Sequence, residues 1–580
     1  MYYVADFETN TLTDEQEYLY KQGRLNLKDF KTHVWGWGLV KRGNHEDKDI
    51  TVGGSIDEFM KEAMRIRNPK IYFHNLKFDG HFILSWLLKN GYTHTTKRKH
   101  LPDHSFRTLI NDMGVFYSIE VIMFKKNGAY RKITFLDSMK KLPFSVDRIG
   151  KAFDIEYNKI EVEQSFYKIQ RPEGHVLTKK EIEYIKNDIR VVSLALQILA
   201  EQNMTKMTIG SDALNTYKLM LGEQAFKKYF PVLEKQVDDD IKLAYRGGVS
   251  MVKESIRGKD IGVGKTFDVN SMYPYVMRYK PMPHSMPLFY KGKYKPYQNY
   301  DLYIQEIVCE FKIKEGYLPT IQIKGQPAKY SPREYLTESK GRTTLHLTNI
   351  DLKMFLEHYD VKDIEYTKGY MFRSSTDLFS EYIDYWVEVK ETSTGAMREL
   401  AKLMLNSLYG KFGTKTTVSN KHPELDENGI VKLPVGSTEE IDSVYSAVAT
   451  FTTSYGRELL LRTAQANYDR FCYCDTDSIH VTGTELPELI EIHKTKLGKW
   501  DDEGTFKRAR FLGAKCYVED FDFGLKVTCA GMTKAQHSQV TYDNFKEGLV
   551  VSGKLQPKVV NGGVVLVETD YAVKVRGFRF

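Results

Sequence analysis

Asp475 and Asp477, in the run Tyr473-Cys474-Asp475-Thr476-Asp477-Ser478, lie between an apolar stretch from Arg470 to Cys474 and a β-prone one from Ser478 to Val481. That pattern predicts a hairpin with both acids at its bend. Converging hard carboxylates suit Mg²⁺, which takes oxygen ligands and keeps positions open for substrate phosphates. Alone, an Asp-x-Asp is more often a solvated acidic turn. Its company decides. In Phe267-Asp268-Val269-Asn270-Ser271-Met272-Tyr273-Pro274 an Asp ends a short apolar strand and Tyr273 follows five residues on, close enough to line one pocket. Farther along, a helix would carry Arg398, Lys402, Asn406 and Tyr409 on one polar face, with Met397, Leu400, Met404 and Leu408 opposite. Cations and an aromatic presented to a metal-binding acid pair are what a nucleoside triphosphate needs.

A second set of acids stands upstream. Tyr2 to Glu8 reads as a strand with Asp6 and Glu8 on one face, ready to share a cation. The run from Ile71 to Gly80 ends an apolar strand and opens a helix that includes Asp79. In Tyr184-Ile185-Lys186-Asn187-Asp188 the Tyr and the last Asp share a helix face at i and i+4.

These elements belong to a chain of 580 residues, enough for roughly three or four domains. With 42% apolar and 28% charged residues it is globular rather than disordered. A net charge of +8 fits a phosphate partner without requiring one. The 38 tyrosines and 31 phenylalanines serve either as stacking platforms for bases or as core. Five cysteines without a C-x-x-C pair argue against a disulfide framework and a zinc site and point to a reducing cytosol. The N-terminus lacks a basic signal region, and no stretch of about 18 apolar residues occurs, so neither export nor a membrane span is expected.

The Asp268-to-Pro274 motif, Lys402-x-x-x-Asn406-Ser407-x-Tyr409-Gly410 and Tyr473-x-Asp475-Thr476-Asp477-Ser478 occur in that order, preceded by Tyr245-Arg246-Gly247-Gly248 and followed by Lys515-Cys516-Tyr517. Together they resemble the protein-primed family B DNA polymerases of small tailed bacteriophages with linear genomes, across essentially the whole chain. The resemblance implies an α/β and α+β multidomain fold: an RNase H-like exonuclease domain joined to a right-hand polymerase of palm, fingers and thumb, with two terminal-protein-region insertions. The expected boundaries are 1–205 for the 3′-5′ exonuclease, 206–280 and 443–533 for the palm, 281–375 and 414–442 for the insertions, 376–413 for the fingers and 534–580 for the thumb. Spacing supports the insertions, because 134 residues separate Asp268 from Lys402, more than a palm connection and one fingers helix use. Asn428-Gly429 marks a hairpin in the second.

By the same resemblance, Asp268 and Asp477 ligate two Mg²⁺ ions, Mn²⁺ being an alternative, with the Val269 carbonyl joining and Asp475 acting nearby. Lys390, Arg398 and Lys402 meet the triphosphate, with Asn406 beside them. Tyr273 packs where a 2′-OH would project, and Tyr409 lies under the nascent pair. Asp6, Glu8, Asp79 and Asp188, with Tyr184, form a DEDD-type nuclease site for two further ions. Lys159 is the nearest candidate for its catalytic lysine. Single-strand ligands map to Thr9, Tyr72, His74, Asn75, Phe78, Phe82, Ser138 and Phe144, although each aromatic is as readily core. Tyr245, Gly247 and Gly248 apportion the primer end between the two sites. Ser271, Gly410, His480, Lys515 and Tyr517 contact DNA, the last two sharing a strand face. The expected partners are primer-template and single-stranded DNA, deoxynucleoside triphosphates and a terminal protein, with a monomeric enzyme in the infected bacterial cytoplasm.

Two departures from the family pattern stand out. Met139 replaces its usual Leu, and the charged, helix-prone segment from Thr11 to Lys31 exceeds its usual connection. The basic run from Lys97 to His100 is a solvated loop or a DNA contact. Three other readings compete: a nucleic-acid-primed family B replicase, which predicts a shorter Asp268–Lys402 spacing; a non-catalytic DNA-binding or packaging protein, which needs no such set of acids; and a nuclease alone, which leaves everything after residue 205 unexplained.

Overall fold

The computed structural model describes residues 1–97, 99, 101–124, 130–157, 160, 164–323, 330, 334–441 and 443–574. Lys159, part of the basic run (Arg98 and His100) and Asp442 lie outside them.

The N-terminal part folds around an eight-stranded mixed sheet. Strand Tyr2–Thr9 lies near its middle, antiparallel to Val34–Lys41 and parallel to Lys70–Phe73. Alternation along Tyr2–Thr9 sends Ala5 and Phe7 into an apolar layer where Phe7 packs edge-on against Phe59 and Phe73, 4.8 and 4.9 Å between centroids. Each such pair contributes about 0.5–1.5 kcal/mol beyond its burial. Asp6 is thereby turned to the other face.

Helix Lys179–Glu201 covers that face. It starts where it does because Thr178 and Glu181 form a capping box. The Glu181 carboxylate also accepts from the buried Arg171 guanidinium at 2.5 Å, and Arg171 lies 4.0 Å from the Trp35 ring centre. Gly36 and Gly38 let the helix come close, since a Cβ on either would meet Ile185 at 2.9 or 2.7 Å. The result holds Tyr184 and Asp188 against the strand that carries Asp6 and Glu8.

The second large sheet is seven-stranded and antiparallel, in the order Gly524–Cys529, Cys516–Phe521, Trp500–Gly513, Gly264–Val269, Ser478–Thr482, Phe471–Asp475, Ser250–Val252. Helix Ser446–Ala466 packs on one face through Leu460, Leu461 and Ala464. A four-stranded sheet with helix Asn349–His358 is built from residues 282–375. Helices Ser380–Thr392 and Gly395–Phe412 form an antiparallel pair, and residues 417–440 a short β-hairpin unit. The C-terminal hairpin Val550–Val560 and Gly563–Ala572 reaches back to the N-terminal sheet. At its tip, Asn561 accepts from Lys89 at 2.6 Å and donates to the Asn428 carbonyl at 2.7 Å, so three parts of the chain meet there. No helix among the described residues is long and apolar enough to cross a membrane. All five cysteines are free and buried.

Candidate functional site

Asp475 closes strand Phe471–Asp475, Ser478 opens the next, and Thr476 takes a left-handed φ of 59° between them. The hairpin therefore bends at the two acids. Asp268 pairs in register with Ser478, and the Val269 N–H donates to the Asp477 carbonyl at 2.8 Å, which brings the upstream motif to the bend. Burial and the Asp477 carboxylate raise Asp268 to about 7; burial and Asp475 raise Asp477 to about 6. Half-buried carboxylates that push each other toward protonation form a site for a hard divalent cation. Among the described residues no three Asp, Glu, His or Cys side chains could cage a metal by themselves. The donor set here is two carboxylates with backbone and substrate oxygens, which suits Mg²⁺.

The helix pair stands over this bend. Lys390 donates to the Ser271 hydroxyl at 3.3 Å, and Arg398 to the Lys390 carbonyl at 2.6 Å. Burial, then Arg398 and Lys402, lower the Lys390 ammonium, so this cationic cluster would welcome a polyanion. Lys402 is held by Glu399 at 2.5 Å one turn back, and Asn406 and Gly410 are exposed farther along the helix. Tyr273 and Tyr409 meet with ring centres 4.3 Å apart. His493 and Lys496 line the same groove as Lys390 and Arg398 and carry no motif that would have revealed them. Gly456, mid-helix, admits the Tyr273 ring, which a Cβ would meet at 3.1 Å; an isolated glycine inside a helical pattern was the readable signal.

Tyr245-Arg246-Gly247-Gly248 lies beside the bend, where a Cβ on Gly248 would come 3.0 Å from Thr476. The carbonyls of Arg246 and Gly247 accept from Arg457 at 2.8 and 3.0 Å, and Arg457 is paired with Asp351. Neither of those two residues was visible from the sequence. Lys515 reaches the Asp475 carboxylate at 2.5 Å.

Three expectations on these strands need correction. Lys515 precedes strand Cys516–Phe521 with φ of 53°, so it does not alternate with Tyr517 onto one face. Tyr517 is buried against Tyr473 and Phe511. His480 is buried too, hydrogen-bonded to Glu519 at 2.7 Å and close to the Thr266 hydroxyl, so both side chains sit in a packed layer rather than on an open face.

In the N-terminal part, Asp6 and Asp188 line one cavity, and Glu8 and Tyr184 line a neighbouring groove with Thr9 and Phe78. Asp79 is buried at the first turn of helix Leu76–Lys89; desolvation and the Asp6 charge push its carboxyl well up. Burial, then Glu8 and Asp188, raise the Tyr184 hydroxyl, which lies 2.9 Å from that of Tyr167. His74 links the Ser138 hydroxyl and the Phe144 carbonyl, 2.9 and 2.7 Å away. Asn75 is exposed, and Phe144 is half-buried under Arg148. Tyr72, Phe82 and Ser138, expected at single-stranded DNA, are buried: Tyr72 stacks on Tyr2, Phe82 packs beneath Gly563, and Ser138 bonds the Phe73 carbonyl. For these two aromatics the core reading is the one the structure takes.

Comparisons with known proteins agree with this geometry. The chain matches the family model described as DNA polymerase type B, organellar and viral, over residues 60–172 and 160–495. The DNA polymerase of Bacillus phage M2 is 42% identical over 593 residues, covering 99% of both chains. The solved phi29 DNA polymerase complexed with primer-template DNA and incoming nucleotides superposes with a TM-score of 0.90 at 40% identity, over 99% of this chain and 100% of that one. The phi29 polymerase complexed with single-stranded DNA superposes at 0.88 with 39% identity, over 99% of this chain and 100% of that one.

Proposed function

The chain belongs to the phi29-like DNA polymerases of the type B organellar and viral family and synthesises DNA on a template, and from that premise we propose that it is also a proofreading, protein-primed replicase. The observation that carries the polymerase assignment to particular residues is the convergence of Asp268 on the Asp475–Asp477 bend beneath Lys390, Arg398 and Lys402.

Asp268, Asp477 and the Val269 carbonyl would hold two Mg²⁺ ions, and Asp6, Glu8, Asp79 and Asp188 two more, in each case with substrate oxygens completing the shell; when bound, such ions would supply charge neutralisation and an activated attacking oxygen. The residues of the chain do the rest. Lys390, Arg398 and Lys402 bind the triphosphate, and the helix pair closes over it. Tyr273, packed at a tilt against Tyr409, excludes a 2′-OH. Lys515 holds the primer strand near its end. In the nuclease groove Tyr184 orients the attacking water, and Phe78 with Thr9 receives a frayed 3′ end.

Protein priming is supported by the two segments 282–375 and 417–440, which form sheets of their own as the family's terminal-protein insertions would. The attacking hydroxyl then belongs to a Ser, Thr or Tyr of a separate protein. Contacts of Asn561 with Lys89 and Asn428 support a closed ring around DNA, hence processive, strand-displacing synthesis by a monomer in the host cytoplasm.

The test is a pair of assays. Asp475→Asn and Asp477→Asn should abolish primer extension while sparing degradation of single strands, and Asp6→Asn with Asp188→Asn should do the reverse. Covalent transfer of a labelled nucleotide to a terminal protein tests priming; extension of nucleic-acid primers alone would favour the replicase that needs no protein primer.

A further inference from the structure

The segment from Thr11 to Lys31, with Thr32 after it, docks on the C-terminal hairpin rather than projecting into solvent. Leu12, Tyr20 and Leu27 share an apolar cluster with Val560, Val565 and Val567. Polar contacts run alongside: Thr11 Oγ1 donates to the Leu566 carbonyl at 2.9 Å, Glu17 accepts the Glu568 N–H at 2.9 Å, and Lys21 pairs with the Glu568 carboxylate at 2.7 Å. At the hairpin tip the Thr32 N–H donates to the Asn561 carbonyl at 2.9 Å. Four contacts and a shared cluster spread over the hairpin fix its position, not merely its proximity.

The two strands of that hairpin form a wall. Leu566 and Leu555 face Glu8, Thr9, Phe78 and Tyr184 across the groove. Both leucines keep exposed surface, an arrangement suited to the faces of unpaired bases.

We propose that residues 12–32 are a tether whose positioning residues, Tyr20, Lys21 and Leu27, set the hairpin wall of the nuclease groove and so its grip on a single-stranded 3′ end. The inference rests on the nuclease reading of that groove. The tether touches no reacting atom, so it acts on substrate binding and not on hydrolysis.

The experiment measures degradation of a labelled single-stranded oligonucleotide by the full chain, alongside addition of one nucleotide to an annealed primer. Lys21→Glu should raise KM for the oligonucleotide about threefold, as a partly exposed ion pair allows, with kcat unchanged. Tyr20→Ser with Leu27→Ser should raise it further. Glu568→Lys added to Lys21→Glu should restore KM, which a general loss of folding would not do. First-nucleotide addition should be the same in all variants. Unchanged KM in both tether variants, or no recovery in the reversed pair, overturns the tether. A wild-type chain that extends primers yet leaves the oligonucleotide intact overturns the nuclease reading beneath it.

Discussion

Lys515 Nζ stands 2.5 Å from Asp475 Oδ2, and the Lys515 N–H donates to the hydroxyl of Tyr473 in the same catalytic strand at 2.9 Å. The lysine proposed to hold primer DNA is thus tied to the Asp475–Asp477 hairpin at two points. Its ammonium is largely exposed, so the pair is worth little to folding. An ammonium so exposed is free to exchange the carboxylate for a phosphate of primer DNA, as the proposed role requires.

Lys515→Ala should accordingly leave the melting temperature within about a degree or two while weakening primer-template binding about tenfold. Removing one phosphate contact also lowers the salt slope of binding by about one. Titrating primer-template affinity against salt concentration reads both effects, and an unchanged slope would show that Lys515 does not meet DNA.

Arg457 presents the contrasting case. Burial alone would raise the Asp351 carboxyl, but Arg457 and Arg246 hold it at about 2. Arg457 donates to Asp351 at 2.6 and 3.1 Å and to the carbonyls of Arg246 and Gly247. Truncation to Ala would strand a buried carboxylate and free the loop beside Thr476. Arg457→Ala should cost about 3–5 kcal/mol in denaturant unfolding. Arg457→Met with Asp351→Leu removes that pair but leaves the buried Arg246, 3.6 Å from the Asp351 carboxylate in the wild type, without its counter-charge, so the double variant should recover only a minor part of that loss.

How much of this could be read beforehand follows from how local each feature is. The Asp475–Asp477 bend and the Arg398–Lys402–Asn406–Tyr409 face are written within one hairpin and one helix, so period and spacing suffice. Residues 281–375 separate because the motif spacing is too long, and the sheet of 282–375 occupies that interval. The Arg457–Asp351 pair joins residues 106 apart, which no local pattern signals. His480 and Tyr517 were misread for a related reason. Alternation on strand Ser478–Thr482 buries Ile479 and Val481 under helix Ser446–Ala466 and assigns His480 to the opposite face. A second apolar layer, with Tyr473, Phe506 and Phe511, covers that face as well.

The contact between the N-terminal sheet and the 417–440 hairpin should be sensitive to acid. His94 and His422 meet there with ring centres 4.9 Å apart. Burial, then His422, lowers His94 to about 4. A histidine harder to protonate folded than unfolded leaves stability intact above about pH 6.5 and withdraws it as pH falls toward 4. Between pH 7.5 and 5 the loss should be of order 1–2 kcal/mol after allowance for solvent screening. His94→Gln should flatten the profile, as thermal melts across that range would reveal; an equally steep profile in the variant would assign the acid sensitivity elsewhere.

Sugar selection should depend on a residue that never touches the nucleotide. Tyr273 is held on one side by Tyr409 and on the other by helix Ser446–Ala466, where only hydrogen occupies the Gly456 position nearest the ring. A Cβ there would sit 3.0 Å from the Met272 methyl and 3.1 Å from the Tyr273 ring, tight enough that the methyl and the ring must each give by about a few tenths of an ångström, shifting the ring relative to the incoming sugar. Gly456→Ala should therefore alter discrimination between deoxy- and ribonucleotides, by about threefold to tenfold in the ratio of kcat/KM, while Tyr273→Ala should erode it further. Because glycine-to-alanine inside a helix favours folding by roughly 0.5–1 kcal/mol on propensity alone, the melting temperature will not fall in proportion. Single-nucleotide insertion with matched deoxy- and ribonucleoside triphosphates separates the two effects, and equal ratios in wild type and Gly456→Ala would mean that the Tyr273 ring does not set the gate.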